Sequence, residues 1–206
     1  MTTLRTFIAI DISDTQRDNA VKLQENLQKG IQFTKSYVRW VKPDVMHLTL
    51  QFIGDVSEDK VAEIVQTVET TLAEIHPFPF EMRGLGFFPN EHAPKVLWCG
   101  TKEGKAELCA LAQRVQDALK TLGFPPEKQP FSPHLTLGRI PALRGVEAMM
   151  TVVKSHQGVS LGEGQINAVT LYQSTLTPDG PVYQPLHRWQ LPPAAEVPPE
   201  THSSTA

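Results

Sequence analysis

Apolar residues recur at steps of three and four positions in three stretches of the chain, which is the spacing of one buried helix face. These stretches are residues 61–75, 108–122 and the shorter 146–153. A further helix is predicted after Ser13, because Ser13 and Gln16 have the spacing of a capping box, in which side chains satisfy the first backbone N–H groups of a helix. We expect the three apolar faces to pack against the core rather than to bind a partner.

Between the helices lie shorter segments with the alternating or β-branched pattern of strands. The last two flank Pro178, Asp179 and Gly180, a sequence typical of a hairpin turn. Short connections between neighbouring strands favour antiparallel pairing, so the sequence predicts an α+β fold with helices on the outer faces of antiparallel sheets. The predicted strands are residues 7–10, 37–41, 47–53, 78–88, 96–100, 134–140, 166–176 and 182–191.

The composition is that of a globular chain. Of its 206 residues, 40% are hydrophobic and 20% are charged, which excludes a collagen-like or wholly disordered chain. This length suits one large domain or two small lobes with a shared core, and we predict a single two-lobed domain over residues 1–191. Residues 192–206 hold four of the 17 prolines and one large apolar side chain, Val197, so they are predicted to form a disordered tail.

Net charge and cysteine content limit the kinds of ligand and partner that the chain is expected to bind. The net charge of −3 disfavours general attraction to duplex nucleic acid, but it leaves room for a local phosphate pocket. The cysteines Cys99 and Cys109 lack the spacing of metal ligands, so neither zinc nor another cofactor is expected. No apolar run approaches the roughly 18 residues that span a bilayer, and the first residues do not form a signal peptide. We therefore expect a cytoplasmic protein without membrane contact, and a monomer, because no helix face demands a partner.

One tetrapeptide occurs twice. His47-Leu48-Thr49-Leu50 recurs letter for letter as His134-Leu135-Thr136-Leu137 in the second half of the chain. In a strand, alternate side chains share a face, so the leucines and Phe52 should point into the core while the histidines and threonines share the other face. Two such strands predict a polar cleft between related lobes. The alternative is the duplication of a strand with a purely structural role.

Paired imidazoles and hydroxyls suit acid–base chemistry at a phosphoryl group. Because the ordinary histidine pKa lies near 6.5, one ring can be neutral while its partner is protonated near neutral pH. Each proton transfer by such a ring typically raises the reaction rate about 10²–10⁴-fold. Thr49 and Thr136 lie on the same faces and could donate hydrogen bonds to an anion. No Gly-rich phosphate loop or nucleophilic Ser or Cys accompanies them. The set fits in-line displacement without a metal or a covalent intermediate.

These paired motifs in a two-lobed α+β chain resemble the 2H phosphoesterase superfamily. More narrowly, the chain resembles the bacterial RNA 2′,3′-cyclic phosphodiesterases, also described as 2′–5′ RNA ligases. The likeness covers residues 4–191 in order, everything except the tail. Besides the two tetrapeptides it rests on residues 5–10, 39–41, 51–54, 87–89, 96–98, 131–133 and 138–139.

The resemblance implies a bilobal fold of two antiparallel sheets with outer helices, related by pseudo-twofold symmetry around a central cleft. It also implies hydrolysis of a terminal 2′,3′-cyclic phosphate on RNA to a 2′-phosphate, and in reverse an ATP-independent 2′–5′ ligation. By carry-over, His47 would be the general acid and His134 the general base. Thr49, Thr136 and Arg139 would bind the phosphate oxygens.

The sequence leaves open on which face of the strand Arg139 lies. Strict alternation from His134 places the Arg139 side chain on the core-facing side. A β-bulge at Gly138 would turn it back toward the cleft, where a guanidinium suits phosphate geometry. The alternative is an arginine at the end of the strand that points into solvent.

The partner that the resemblance implies is RNA with a 2′,3′-cyclic phosphate end. Two alternatives stay open: small cyclic nucleotides as substrates of the same chemistry, and a module that binds RNA ends or nucleotides without turnover. Single-stranded RNA is commonly held by stacking of its bases on aromatic side chains. The aromatic residues near the motifs are candidates for this role, although each could equally belong to the core: Phe7, Trp40 and Phe87.

Overall fold

The computed structural model describes residues 3–34, 37–127, 129–142 and 145–194. Within these ranges the chain forms nine strands and four α-helices, with a short 3-10 turn at Pro43–Val45. In chain order they are β1 (Thr3–Asp11), α1 (Asp14–Ile31), β2 (Arg39–Trp40), β3 (His47–Ser57), α2 (Glu58–Leu72), β4 (Phe78–Phe88), β5 (Val96–Thr101), α3 (Lys105–Thr121), β6 (His134–Arg139), α4 (Val146–Lys154), β7 (Ser160–Ile166), β8 (Ala168–Thr177) and β9 (Gly180–Gln190).

The strands form two antiparallel sheets. Sheet 1 has the strand order β3-β1-β8-β9, and sheet 2 has the order β2-β6-β5-β4-β7. Each sheet contains one of the two motif strands, β3 or β6, and these strands lie against each other. The sheets therefore meet along the repeated tetrapeptides, and the predicted α+β fold with two antiparallel sheets is confirmed.

Two of the helices, α1 and α3, pack on the sheet that does not contain the strand before them. Although α1 follows a strand of sheet 1, it packs on β7 of sheet 2 and on α4, whereas α3 follows a strand of sheet 2 and packs on β3 of sheet 1. The capping box at the start of α1 is present, with the Gln16 N–H donating to Ser13 Oγ at 3.2 Å and the Ser13 N–H donating to Gln16 Oε1 at 3.1 Å. Among the described residues, no helix has the length and apolar character needed to cross a bilayer.

The structure adds one strand to those predicted. The strand predicted over residues 166–176 is β8, which begins at Ala168, whereas Ile166 ends β7, a strand that was not predicted. The sequence pattern does not predict β7, because glycines interrupt the alternation of apolar residues in this strand. Gly164 is required there, since a Cβ atom at this position would lie 2.7 Å from the ring of Phe80. The predicted strand 37–41 also shortens to β2.

One continuous cluster of buried side chains includes residues of both sheets, such as Ile8 and Leu48 in sheet 1 and Leu97 and Leu135 in sheet 2. At the end of the fold, His76 Nδ1 donates to the Pro192 carbonyl at 3.0 Å. Of the tail predicted to be disordered, residues 195–206 lie outside the described residues.

Candidate active site

The two motif strands bury their residues in the same order. In each strand the two leucines are buried, while the histidine and threonine are half-buried on the opposite face. This places His47 and Thr49 from sheet 1, with His134 and Thr136 from sheet 2, along the walls of one cleft. The structure therefore brings together all four residues of the predicted set.

A β-bulge interrupts each strand at the second leucine of its motif. Leu50 has no pairing partner on β1, and Leu137 has none on β5. An extra residue reverses the phase of the alternation, so the side chains two positions further on return to the cleft face. Those residues are Phe52 and Arg139, and both line the cleft. The expectation that Phe52 points into the core is therefore wrong: its side chain is 40% exposed.

Arg139 thus reaches the cleft through a bulge at Leu137, one residue before the position that we expected. Gly138 is needed for another reason, because a Cβ atom there would lie 2.5 Å from Cγ1 of Val38. Arg139 lies opposite Arg39 in the pairing of β6 with β2, and both line the cleft. Like charges side by side repel, so this pair favours an anion between them.

A buried glutamine supports each bulge. Gln116 on α3 donates from Nε2 to the Leu50 carbonyl at 3.3 Å, and Gln24 on α1 donates from Nε2 to the Leu137 carbonyl at 2.8 Å. The unpaired residue of a bulge leaves its backbone groups outside the ladder, and a buried carbonyl without a donor is costly. These two helices therefore supply the same bond to both strands, and the Leu137 carbonyl also accepts the N–H of Val41 at 3.0 Å.

We predict that Gln116→Met lowers the free energy of unfolding by about 1–3 kcal/mol, because it leaves the Leu50 carbonyl without this donor. Urea unfolding measures the effect. Gln113→Met is the matched control on the same helix, since Gln113 is exposed and donates to the exposed Asp117. Equal stability of the two variants would show that the bulge does not depend on this hydrogen bond.

Both histidine rings are oriented by a backbone carbonyl two residues earlier. His47 Nδ1 lies 2.9 Å from the Val45 carbonyl oxygen, and His134 Nδ1 lies 2.7 Å from that of Ser132. Because a carbonyl only accepts, each Nδ1 carries a proton and donates it, which leaves Nε2 as the atom that gains or loses a proton. Nε2 of His47 lies 2.9 Å from Thr49 Oγ1, whose hydroxyl donates to the neutral ring.

Aromatic side chains hold the imidazoles in place. The ring of His47 packs against Phe7, with 4.8 Å between centroids, and meets Tyr183 edge-on at 5.2 Å. The ring of His134 meets Phe88 edge-on at 4.8 Å. These contacts leave each imidazole little freedom to rotate.

The residues predicted to stack on a base occupy different places. Trp40 lines the cleft, Phe7 also lines it but is buried beside His47, and Phe87 lies in the core. Sequence reasoning missed other cleft residues, among them Phe88 and Tyr183. Phe52 had a usable signal, because it follows its motif histidine at the same spacing at which Arg139 follows the second one.

Burial lowers the pKa of both histidines. Desolvation is the largest cause for His47, and its hydrogen bond to the Val45 carbonyl and the nearby carboxylate of Asp11 oppose it. Desolvation also dominates for His134, its hydrogen bond to the Ser132 carbonyl and the nearby carboxylate of Glu127 oppose it, and the charge of Arg139 lowers the pKa by a smaller amount. Both rings therefore favour the neutral form in the free protein, and a bound phosphate would favour protonation of one of them.

The cleft has a volume of about 810 Å³ and carries more positive than negative side chains. The guanidinium of Arg5 lies 4.9 Å from the centre of the Phe52 ring, a cation–π contact. On a chain of net charge −3, this local excess of positive charge suits a phosphate ligand. The described residues contain no group of three or more His, Cys, Asp or Glu side chains arranged to hold a metal. The charged residues that line the cleft are Arg5, Arg39, Lys42, Arg139, Glu127 and Asp179.

The family model described as LigT like Phosphoesterase matches residues 10–98 and 100–183, which include both motif strands. The chain belongs to the LigT-like phosphoesterase family. A relative from Archaeoglobus fulgidus, named RNA 2′,3′-cyclic phosphodiesterase, is 38% identical over 185 residues, covering 89% of this chain and 98% of the relative. Another of the same name, from Aquifex aeolicus, is 30% identical over 192 residues, covering 93% and 99%.

Solved structures show the same LigT-like fold. That of TT0787 from Thermus thermophilus has a TM-score of 0.75 and 28% sequence identity, covering 93% of this chain and all of the other. That of E. coli LigT complexed with 3′-AMP has a TM-score of 0.70 and 24% identity, covering 92% and 99%. The predicted family and fold are confirmed, and the predicted enzyme class agrees with the names of the relatives.

Proposed function

We propose that this protein hydrolyses the 2′,3′-cyclic phosphate at the end of an RNA strand to a 2′-phosphate. One observation carries the proposal: two imidazoles, one from each sheet, line the same cleft with Nδ1 fixed by a carbonyl and Nε2 left to exchange a proton. The relatives named RNA 2′,3′-cyclic phosphodiesterase, which match this chain over most of its length, support the choice of substrate.

In this mechanism His134 is the base and His47 the acid. Nε2 of His134 takes a proton from a water molecule as its oxygen attacks phosphorus. The bond from phosphorus to the 3′ oxygen breaks, and the protonated Nε2 of His47 gives its proton to that oxygen. The product keeps its phosphate on the 2′ oxygen, and solvent resets both rings.

The remaining residues of the set bind the phosphate. The Thr49 hydroxyl donates to His47 when that ring is neutral, and once the ring is protonated the hydroxyl is released to donate to a phosphate oxygen. Thr136 holds the equivalent position on the other strand. Arg139 supplies a guanidinium that can bind two phosphate oxygens at once. These donors stabilise the charge that builds up on the phosphoryl group in the transition state.

The exposed ring of Phe52 offers a flat face for the terminal base. Arg5, Arg39 and Lys42 extend the positive surface of the cleft beyond the phosphate site, which favours an RNA strand over a small cyclic nucleotide. Joining of RNA ends is the same step with a 5′-hydroxyl in place of water, so the proposal includes ATP-independent 2′–5′ ligation.

The test is hydrolysis of an oligoribonucleotide that ends in a 2′,3′-cyclic phosphate, with EDTA present throughout. We expect turnover to be the same with and without EDTA, because two imidazoles perform both proton transfers. The product phosphate should resist a phosphatase specific for 3′-phosphates.

Other outcomes of this assay would contradict the proposal in different ways. Turnover of cyclic mononucleotides alone would move the substrate to small nucleotides. Loss of activity in EDTA would require a metal. Binding of RNA ends without any turnover would favour the binding module.

A further inference from the structure

The two motif strands pair with their neighbours alike, but the residues opposite their histidines differ. His47 on β3 lies opposite Asp11 on β1, whereas His134 on β6 lies opposite Gly100 on β5. Directly opposed residues of an antiparallel pair project from the same face, with Cβ atoms about 4.5–5.5 Å apart. One imidazole therefore has a carboxylate beside it, and the equivalent place beside the other imidazole holds no side chain.

Three donors from two neighbouring strands fix the Asp11 carboxylate. Tyr172 donates its hydroxyl to Oδ1 at 2.5 Å. Thr170 donates to Oδ2 at 3.2 Å, and Arg188 Nη1 donates to the same oxygen at 2.6 Å. Burial and the bond to Asp11 raise the pKa of Tyr172 to about 12, so its hydroxyl remains a donor over the working range of pH. The carboxylate is therefore held in one position beside the ring.

We propose that Asp11 is the positioning residue that makes His47, rather than His134, the acid of the reaction. It acts by stabilising the imidazolium form of His47, which must carry a proton before the 3′ oxygen leaves. The inference rests on the proposed hydrolysis and deepens it, because pseudo-twofold symmetry by itself would leave the two histidines interchangeable.

The surroundings of His47 support this assignment. The charge of Asp11 favours the protonated ring, and that of His134 across the cleft opposes it. Arg188 is paired with Asp11 and reduces the effect of the carboxylate without cancelling it. Among the described residues, the titratable and charged groups that face the His47 side of the cleft from the strands packed around it are Arg5 and Asp11 on β1, Tyr172 on β8, Tyr183 and Arg188 on β9, and His134 and Arg139 on β6.

The surroundings of His134 differ in geometry. Gly100, which lies opposite it, offers no charge, and the carboxylate that raises its pKa, Glu127, outweighs Arg139 but is an exposed residue outside the sheet. A ring that must accept a proton from water is best kept neutral in the free enzyme. The asymmetry between Asp11 and Gly100 therefore matches the two roles.

The first test does not depend on turnover. Titration of the imidazole signals by NMR follows each histidine in the wild type, in Asp11→Asn and in Arg188→Gln. We expect the midpoint of His47 to move to lower pH in Asp11→Asn and to higher pH in Arg188→Gln, with His134 nearly unchanged. A His47 midpoint that stays fixed in both folded variants would overturn the proposal. Arg188→Gln still decides the question if Asp11→Asn does not fold.

The second test is the pH dependence of kcat/KM. A group that must be protonated sets the limb on which activity falls as pH rises, so Asp11→Asn should move that limb to lower pH. At pH values above this limb, kcat/KM of Asp11→Asn should be about tenfold lower than that of the wild type. The loss should nearly vanish on a cyclic substrate with sulfur in place of the 3′ oxygen, because a thiolate leaves without protonation.

The two tests separate the possible failures. An equal loss on the oxygen and sulfur substrates would indicate a merely structural role for Asp11 and would overturn the inference. Absence of hydrolysis by the wild type would refute the proposed function itself, while the NMR titration would still report on Asp11.

Discussion

Alanine in place of His47 or His134 lowers kcat for hydrolysis of a cyclic RNA end by at least about 10²-fold, since each variant loses one of the two proton transfers. The double variant should be little worse than either single one, because the two rings act in one concerted displacement. Single-turnover kinetics at saturating enzyme measures the chemical step free of binding effects.

The roles can be separated with the sulfur-containing substrate, in which sulfur replaces the 3′ oxygen. Its leaving group needs no proton, so His47→Ala should regain most of its activity there while His134→Ala should not. His76→Ala is the matched control, because His76 donates to the Pro192 carbonyl and is not one of the described residues that line the cleft. Retention of more than about a tenth of the wild-type rate by a motif variant would contradict acid–base catalysis by that histidine.

Arg139→Ala should lower kcat about 10²–10³-fold, the usual effect of removing one donor that stabilises charge in a transition state. Arg139→Lys should recover part of the loss, because an ammonium keeps the charge but lacks the planar fork of two N–H donors. Steady-state kinetics on the cyclic RNA end gives both values.

Arg39 offers the comparison, since it lies opposite Arg139 and lines the same cleft. If Arg39 contacts only the RNA backbone, Arg39→Ala should mainly raise KM and weaken its dependence on salt. Equal losses of kcat in the two alanine variants would show that both arginines bind the reacting phosphate, which would contradict a distinct role for Arg139.

The sequence was sufficient to predict the features that depend on local pattern. The apolar stripe of α3 is buried as expected, from Leu108 to Leu119, because a helix of this spacing has one face to bury. The repeated tetrapeptide predicted where four cleft residues would lie, since two strands with the same alternation turn the same residue types to the same face.

Features that depend on pairing between distant strands were beyond the sequence. The extra residue at Leu50 becomes visible only when β3 is paired with β1, so Phe52 was assigned to the wrong face. Tyr183 reaches His47 from the far edge of sheet 1, and no sequence spacing connects them. Strand β7 is held by its partner β4 and not by an apolar pattern of its own.

Because the same bulge occurs in both motif strands, the backbone of the cleft does not depend on the side chains that bind a ligand there. Pairing register and two buried glutamines set its backbone, and none of these depends on the side chain that emerges two residues later. One half of the molecule places an arginine there and the other a phenylalanine. Each half of the molecule therefore carries its own ligand chemistry at this position, while both strands keep the same hydrogen bonds.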